Sequence, residues 1–313
     1  MPILLREILA ILKSHFLLKL ITNGLNNFKF RIKTTSTFTQ VKNQLFSYND
    51  YTISYAQIGA GENLILAFHG FGMDRFAFED FHSLVEPHQK LVSVDLFSHG
   101  NSEPKDFNGL SRTGWKGMLL AFLTHLGHER FSLMAYSLGG KVVLETVNLF
   151  PEKVESLLLF SPDGFKRNRF YEFLSLSALG RWTYRGVIRK PQAFLNFADG
   201  LTKYNVLPLR LNKFVHYHVG DKTRRELVYD VHRVYRRFLP DLNALQRGIE
   251  KHEISITFIF GEHDRVIHHS LAQKFMERLS NKSLATLHLL NKGHVILEAS
   301  TATFIKENNL WFK

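Results

Sequence analysis

From residue 46 onward, apolar and polar positions switch repeatedly between a period of two and one near 3.6. "YTISYAQIG" (51–59) alternates and ends at glycine, as a half-buried strand does. "NLILAFHG" (63–70) is a continuous apolar run with a glycine stop, the pattern of a strand covered on both faces. "RFAFEDFHSLVEP" (75–87) reads as helix-like, "KLVSVD" (90–95) as a short buried strand, and "SHGNSEP" as a polar turn. "TGWKGMLLAFLTHLG" (113–127) predicts a helix with Leu119, Leu120, Leu123 and Leu126 on one face. "RFSLMAY" (130–136) predicts a strand, "LGGKVVLETVNLFP" (138–151) a helix stopping near Pro151, and "VESLLLFSP" (154–162) another buried strand.

The rhythm then breaks. Residues 163–250 read as helical, aromatic and basic, with no clear strand. "ISITFIFG" (254–261) resumes the strand pattern, "HSLAQKFMERLS" (269–280) is a helix, "LATLHLL" (284–290) a strand, and a last helix is expected near Val295. Strands alternating with helices predict an α/β fold: a mostly parallel sheet with helices on both faces. The chain then divides into an N-terminal extension (1–45), a core in two parts (46–162 and 251–313) and a helical insertion between them (163–250).

The extension adds a membrane question. In "MPILLREILAILKSHFLLKLI", Arg6, Glu7, Lys13 and Lys19 interrupt any clean apolar span. A basic n-region and a small-residue cleavage site are also missing, so a secretory signal is not expected. On a helical wheel, Arg6, Glu7, Ala10, Lys13 and Ser14 oppose Leu5, Ile8, Leu9, Leu12 and Phe16. That is an amphipathic helix, lying on a membrane surface or packed on the protein. The expected location is the cytoplasm, with membrane association through this segment as the alternative.

Charge sharpens that question. The net charge is +12, made of +6 in residues 1–45, +9 in 163–250 and −3 in the remainder. A basic excess of this kind suits anionic partners, and a solvated basic surface is the plain alternative. "TRRELVYDVHRVYRRFLP" (223–240) puts Leu227, Val228, Val231, Val234, Tyr235 and Phe238 on one face and Arg225, Arg233, Arg236 and Arg237 on the other. Contact with an anionic membrane is one partner such a face fits. Nucleic acid is not expected, since no binding motif or regular aromatic–basic spacing occurs. There is no cysteine, which removes disulfides, thiolate zinc sites and cysteine nucleophiles.

The chemistry sits at the strand ends. "LMAYSLGGKVVLE" (133–145) is an apolar strand, then small–x–Ser–x–Gly, then a helix. A turn that sharp holds Ser137 in a strained conformation with its hydroxyl at the carboxyl edge of the sheet. Ala135, Gly139 and Gly140 are the small residues it needs. "HGFG" (69–72) follows a buried strand, so the Phe71 N–H, paired with the Leu138 N–H at a helix start, is placed to form an oxyanion hole. Asp264 lies just beyond strand 254–261 and His294 just beyond the last strand. Serine, acid, histidine is the chain order of one known triad architecture. Asp163, after strand 154–162, is the rival acid. His69, Asp95 and His99 read as residues that tie down the loops beside the site. His263, His268 and His269 cluster in sequence, but no HExxH pattern occurs, and neither a metal nor a cofactor is expected.

Together "HGFG" (69–72), "DLFSHGNS" (95–102), "AYSLGG" (135–140), "GEHDRVI" (261–267) and "KGHVILE" (292–298) resemble the α/β-hydrolase superfamily. The resemblance spans roughly 46–162 and 251–313, and the insertion matches only in position, where similar proteins carry a helical cap. It implies the α/β-hydrolase fold, with Ser137 as nucleophile, His294 as general base and acid, Asp264 as its orienter, and Phe71 and Leu138 as backbone oxyanion donors. Two departures stand out: Ala135 where the elbow usually has glycine, and Phe97-Ser98 where similar loops often have Pro-Gly. The implied activity is cofactor-free cleavage of an ester-like bond in an apolar or acyl small molecule, of the carboxylesterase or lipase type. The same groups also serve carbon–carbon, thioester and amide bonds, and a non-catalytic binding member is the remaining alternative.

Overall fold

A computed structural model describes residues 42–104, 110–166, 172 and 176–313; the amphipathic helix expected over residues 1–21 lies outside the described residues. The chain separates into a sheet-bearing unit, Ser36–Arg167 with Arg237–Lys313, and a helical unit that includes Asn168–Arg236.

The sheet-bearing unit holds eight strands: β1 (Lys42–Tyr48), β2 (Tyr51–Gly59), β3 (Asn63–Phe68), β4 (Gln89–Val94), β5 (Phe131–Tyr136), β6 (Val154–Phe160), β7 (Ser255–Gly261) and β8 (Ala285–Leu290). Their order across the sheet is β1-β2-β4-β3-β5-β6-β7-β8. The β1–β2 and β2–β4 pairs are antiparallel, and every later neighbour is parallel. The six parallel strands therefore all end at one edge.

The central strands are buried along most of their length because helices cover both faces. Ile65, Ala67, Met134, Leu158 and Ile259 face one core with Phe78, Phe81, Ile296 and Ile305. On the other face, Phe68 meets Trp115 edge-on at 6.1 Å, and Trp115 in turn meets Phe238 at 5.8 Å. Trp115 belongs to α1 (Arg112–Leu126), whose buried stripe is Trp115, Met118, Leu119, Phe122 and Leu123, the i, i+3, i+4, i+7, i+8 pattern. Ser111 caps its start by accepting the Gly114 N–H, and Gly127 ends it with φ at 77°. Helix α2 (Gly139–Leu149) follows β5.

Three sequence expectations shift. Strand β1 begins inside the presumed extension and pairs with β2 from Lys42↔Gln57 to Tyr48↔Tyr51, across a two-residue turn in which Asn49 takes φ 49°. Segment 75–87 is not a continuous helix: turns lead into a short 3-10 helix, Glu79–Leu84. Phe78, Phe81 and Leu84 are all buried, and a spacing of three puts them on one side of a 3-10 turn. The last helix starts at Ala299 and not near Val295.

The helical unit contains α3 (Ala178–Arg189), α4 (Pro191–Lys203), α5 (Leu209–Gly220) and α6 (Lys222–Tyr235). It has its own small core of Leu195, Ala198, Leu207 and Val215. Helix α3 turns Tyr184 onto Tyr229 and His232 of α6, with ring centroids at 5.2 and 5.6 Å. The helical unit ends at Arg236. Helix α7 (Leu242–His252) belongs to the sheet-bearing unit. It buries Leu245 and Ile249 and lays Gly248 so close to Pro151 that an added Cβ would lie 3.0 Å from the proline Cβ. Helices α8 (Ser270–Met276) and α9 (Ala299–Glu307) complete that unit.

Candidate active site

Between β5 and α2 only two residues turn the chain. Ser137 takes φ 48°, a left-handed conformation that costs a non-glycine residue about 1–3 kcal/mol. Backbone bonds on both sides hold it there: its N–H donates to Phe160 at 3.1 Å, and its carbonyl accepts from Gly140 at 2.9 Å and Asp163 at 2.8 Å. The two glycines after the serine are required by space. A Cβ at Gly139 would sit 2.2 Å from the Phe68 carbonyl oxygen, and one at Gly140 would sit 2.4 Å from that of Asp163. Crowding is thus greatest after the serine, while Ala135 fits within β5, fully buried. Gly139→Ala is expected to cost about 1–3 kcal/mol of stability by overpacking and to displace the serine. Urea unfolding beside active-site labelling reads both effects, and a variant with unchanged midpoint and labelling would contradict them.

The Ser137 hydroxyl lies 3.1 Å from His294 Nε2, and His294 Nδ1 lies 2.7 Å from Asp264 Oδ2. Three side chains from three different strand ends thus join in one hydrogen-bonded line. The loops after β7 and β8 meet because Gly261 has no side chain: a Cβ there would fall 1.9 Å from the Gly293 carbonyl oxygen. Backbone bonds seal them, with Glu262 N–H donating to Leu290 at 2.7 Å and His263 N–H to Lys292 at 2.9 Å. Asp264 Oδ1 accepts the Val266 and Ile267 N–H groups at 2.8 and 2.9 Å, which leaves Oδ2 for the imidazole. Burial works to raise the Asp264 carboxyl, but the hydrogen bond and charge of His294, with the Ile267 N–H, outweigh it and hold the group below its ordinary value.

Asp163, the rival acid, is engaged elsewhere. Its Oδ1 accepts the Gly164 N–H at 2.8 Å and its Oδ2 pairs with Lys141 at 3.1 Å.

The loop carrying Phe71 runs directly beside Ser137. A Cβ on Gly70 would approach the Tyr136 ring at 2.8 Å and the Ser137 Cβ at 3.4 Å. Two buried imidazoles fix this loop. His69 Nδ1 donates to the Gly70 carbonyl at 2.7 Å, and its Nε2 accepts the Leu96 N–H at 2.9 Å. His99 Nδ1 donates to the Phe97 carbonyl at 3.2 Å, and its Nε2 accepts the Gly72 N–H at 3.0 Å. These tautomers follow from the partners, since each backbone N–H can only donate. Asp95 accepts from Arg75 N and Nη1, both at 2.6 Å, and from Asn101 N at 3.0 Å. Among the described residues, neither the Phe71 nor the Leu138 N–H is taken by another hydrogen bond.

Both imidazoles are neutral because burial opposes their charge. Burial pushes His69 down to about 4 and His99 to about 3, with the neighbouring His69 adding to the effect on His99. An unfolded histidine titrates near 6.5. Below that value the unfolded chain binds protons that the folded chain refuses. Stability is therefore full above about pH 6.5 and is lost as the pH falls towards 4, by about 1.4 kcal/mol per pH unit for each histidine. His99→Gln, which keeps an acceptor for Gly72 and cannot titrate, is expected to flatten this dependence by about one proton. Urea midpoints between neutral and mildly acid pH test it, and an unchanged slope would count against it.

One participant gives no motif signal. Tyr136 packs its ring on that of His294, centroids 5.3 Å apart, and donates its hydroxyl to the His294 carbonyl at 3.0 Å. It holds both the ring and the backbone of the histidine. Its position at the end of β5, one residue before the serine, was the only sequence clue. The histidines grouped in sequence each meet a different polar side chain: His263 meets Asn291 at 3.1 Å, His268 meets Ser270 at 2.9 Å and His269 meets Gln273 at 3.2 Å, while the rings of His268 and His269 lie 4.2 Å apart. Among the described residues, no group of three or more His, Cys, Asp or Glu side chains gathers to hold a metal. No described helix is long and apolar enough to cross a membrane.

A mostly parallel sheet with its polar line of side chains at the strand ends defines a class of protein, and the comparisons agree. Residues 64–307 match the model of the alpha/beta hydrolase family. The chain belongs to that family, and so to a family of hydrolases. A dihydrolipoyllysine-residue acetyltransferase component of the acetoin-cleaving system from Cupriavidus necator is 31% identical over 36% of this chain and 30% of that relative. The chain spans about a third of the length of such curated relatives. A human monoacylglycerol lipase is 22% identical over 82% of this chain and 78% of its own. Among solved structures, a bacterial membrane phospholipase A shares the fold with a TM-score of 0.57 at 22% identity, over 85% of each chain.

Proposed function

We propose that the protein is a serine esterase that cleaves an ester of an apolar acyl group through an acyl-enzyme. The observation that carries this reading is the unbroken hydrogen-bonded line from Ser137 through His294 to Asp264.

The chemistry follows from that line. A serine hydroxyl is a poor nucleophile near neutral pH. As Oγ attacks the ester carbonyl carbon, its proton passes to His294 Nε2. Asp264 keeps the other imidazole proton on Nδ1, so Nε2 is free to accept, and it stabilises the imidazolium that forms. The carbonyl oxygen becomes an oxyanion beside the Phe71 and Leu138 N–H groups, each donor lowering the barrier by about 3 kcal/mol. Collapse breaks the bond to the alcohol oxygen, which leaves with the proton from Nε2. Water then attacks the acyl-enzyme, gives a proton to His294 and releases the acid, and Ser137 recovers its proton. None of these steps calls for a metal or cofactor.

The apolar acyl group is supported by the relatives, which include a monoacylglycerol lipase and a phospholipase A. A fluorophosphonate probe and a series of p-nitrophenyl esters of increasing acyl length test the reading. Covalent labelling at Ser137 with turnover that rises from acetate to medium-chain esters is expected. A chain that takes no label and hydrolyses no ester of any length would overturn it.

A further inference from the structure

Helix α3 presents an unusual outer face. Leu179 is 53% exposed and Trp182 68% exposed. Arg185 and Arg189 are exposed too and follow Trp182 at i+3 and i+7, which puts them on the same side of the helix. Leu176, 41% exposed, lies just before the helix. The opposite side is already occupied, since Gly180 is buried and Tyr184 meets α6. Residues 176–190 contain four basic side chains, Arg181, Arg185, Arg189 and Lys190, and no acid. No carboxylate among the described residues pairs with Arg185, Arg189 or Lys190; the Arg185 Nε donates to the Arg181 carbonyl at 3.2 Å.

We propose that this face of α3 is a docking surface for an anionic phospholipid bilayer. An exposed tryptophan and leucine beside unpaired arginines combine an apolar wedge with a cationic collar, the arrangement that sits at the headgroup level. At 12 residues, α3 spans about 18 Å and lies on the surface rather than crossing it. Charge selects the occupant. A second copy would set four cations against the same four. The N-terminal segment, with Arg6, Lys13 and Lys19 against Glu7, is also basic. The arginine-bearing helix α6 is a weaker candidate, because Arg233 meets Asp230 at 3.8 Å and Arg224 stacks over Tyr217 at 3.8 Å.

Co-sedimentation of the full chain with vesicles tests this. Binding is read without substrate, so its failure is separate from failure of the esterase reading. Vesicles about one-third phosphatidylglycerol in phosphatidylcholine are expected to pellet the protein, and pure phosphatidylcholine to leave most of it in solution. At about 1 kcal/mol per cation near such a surface, Arg185→Gln with Arg189→Gln lowers partitioning about 30-fold. Trp182→Ala lowers it about tenfold through lost apolar burial. Melting temperature and labelling by the fluorophosphonate probe stay unchanged. Salt provides an arm that needs no variant, and raising it to about 0.5 M weakens binding several-fold. Equal binding to both vesicle types, no binding to either, or variants that bind as the wild type does would each overturn the proposal. Binding retained by the α3 variants but lost on neutralising Lys13 and Lys19 would move the surface to the N-terminal segment. Capture by an acidic polypeptide with no vesicle binding would reassign the face to a protein partner.

Discussion

Ser137→Ala is expected to lower ester turnover by a factor on the order of 10⁵ or more, with the fold intact. The size of the effect follows from the mechanism: without Oγ there is no acyl-enzyme, and His294 has nothing to deprotonate except water. Groups that act as a unit fail together, so the loss approaches that of removing the whole line, and residual rate comes from the oxyanion donors and binding alone. The fold survives because the bonds that hold residue 137 at φ 48° are backbone bonds to Phe160, Gly140 and Asp163. Alanine keeps all of them and the same Cβ. Turnover of a medium-chain p-nitrophenyl ester, fluorophosphonate labelling and thermal unfolding measured together check this. A variant that retains more than about one-hundredth of the activity, well above the residual rate of a triad missing a member, would place the nucleophile elsewhere.

Much of this site could be read from the chain because its parts are local. Each side chain of the hydrogen-bonded line follows an apolar run: Ser137 after β5, Asp264 after β7, His294 after β8. The end of an apolar run is visible in sequence, and a parallel sheet brings such ends to one edge. The glycines were visible for the same reason. Gly139 and Gly140 lie beside the serine they serve, and both prove to be in backbone contact. What could not be read depends on residues distant in the chain. The sequence named Asp264 with Asp163 as its rival, but that Lys141 engages Asp163 while the loops after β7 and β8 close on each other at Gly261 and Gly293 shows only in the fold. Tyr136 is an ordinary strand aromatic until the carbonyl it reaches, 158 residues away, is known. Strand β1 leaves little periodic signal because it is an edge strand with mixed polarity, Leu45 being 65% exposed. The helix expected over 75–87 failed for a related reason: a spacing of three among Phe78, Phe81 and Leu84 fits both a helix and a 3-10 turn, and only the space beneath decides.

Asp264→Asn is expected to reduce kcat by a factor on the order of 10⁴ while leaving the structure nearly unchanged. The geometry makes this substitution unusually clean. Asp264 Oδ1 accepts two backbone N–H groups, from Val266 and Ile267. An asparagine must keep its carbonyl oxygen there, since turning its NH₂ towards two donors would leave both unsatisfied in a buried position. Its NH₂ then points at His294 Nδ1. That nitrogen must become an acceptor, so the imidazole proton moves to Nε2, where it faces the Ser137 hydroxyl. The base is present, in place and in the wrong tautomer. The loss should therefore appear in kcat and in the labelling rate, with melting temperature little changed and KM shifted far less than kcat. Asp163→Asn is the matched control. Its side chain serves Lys141 and the Gly164 N–H, and its backbone bond to Ser137 is kept in the variant, so turnover should stay within about tenfold of wild type, a small loss beside that from Asp264→Asn. Comparable losses in the two variants, or a larger one at 163, would mean that the carboxylate orienting His294 during turnover is not the one beside it in the resting structure.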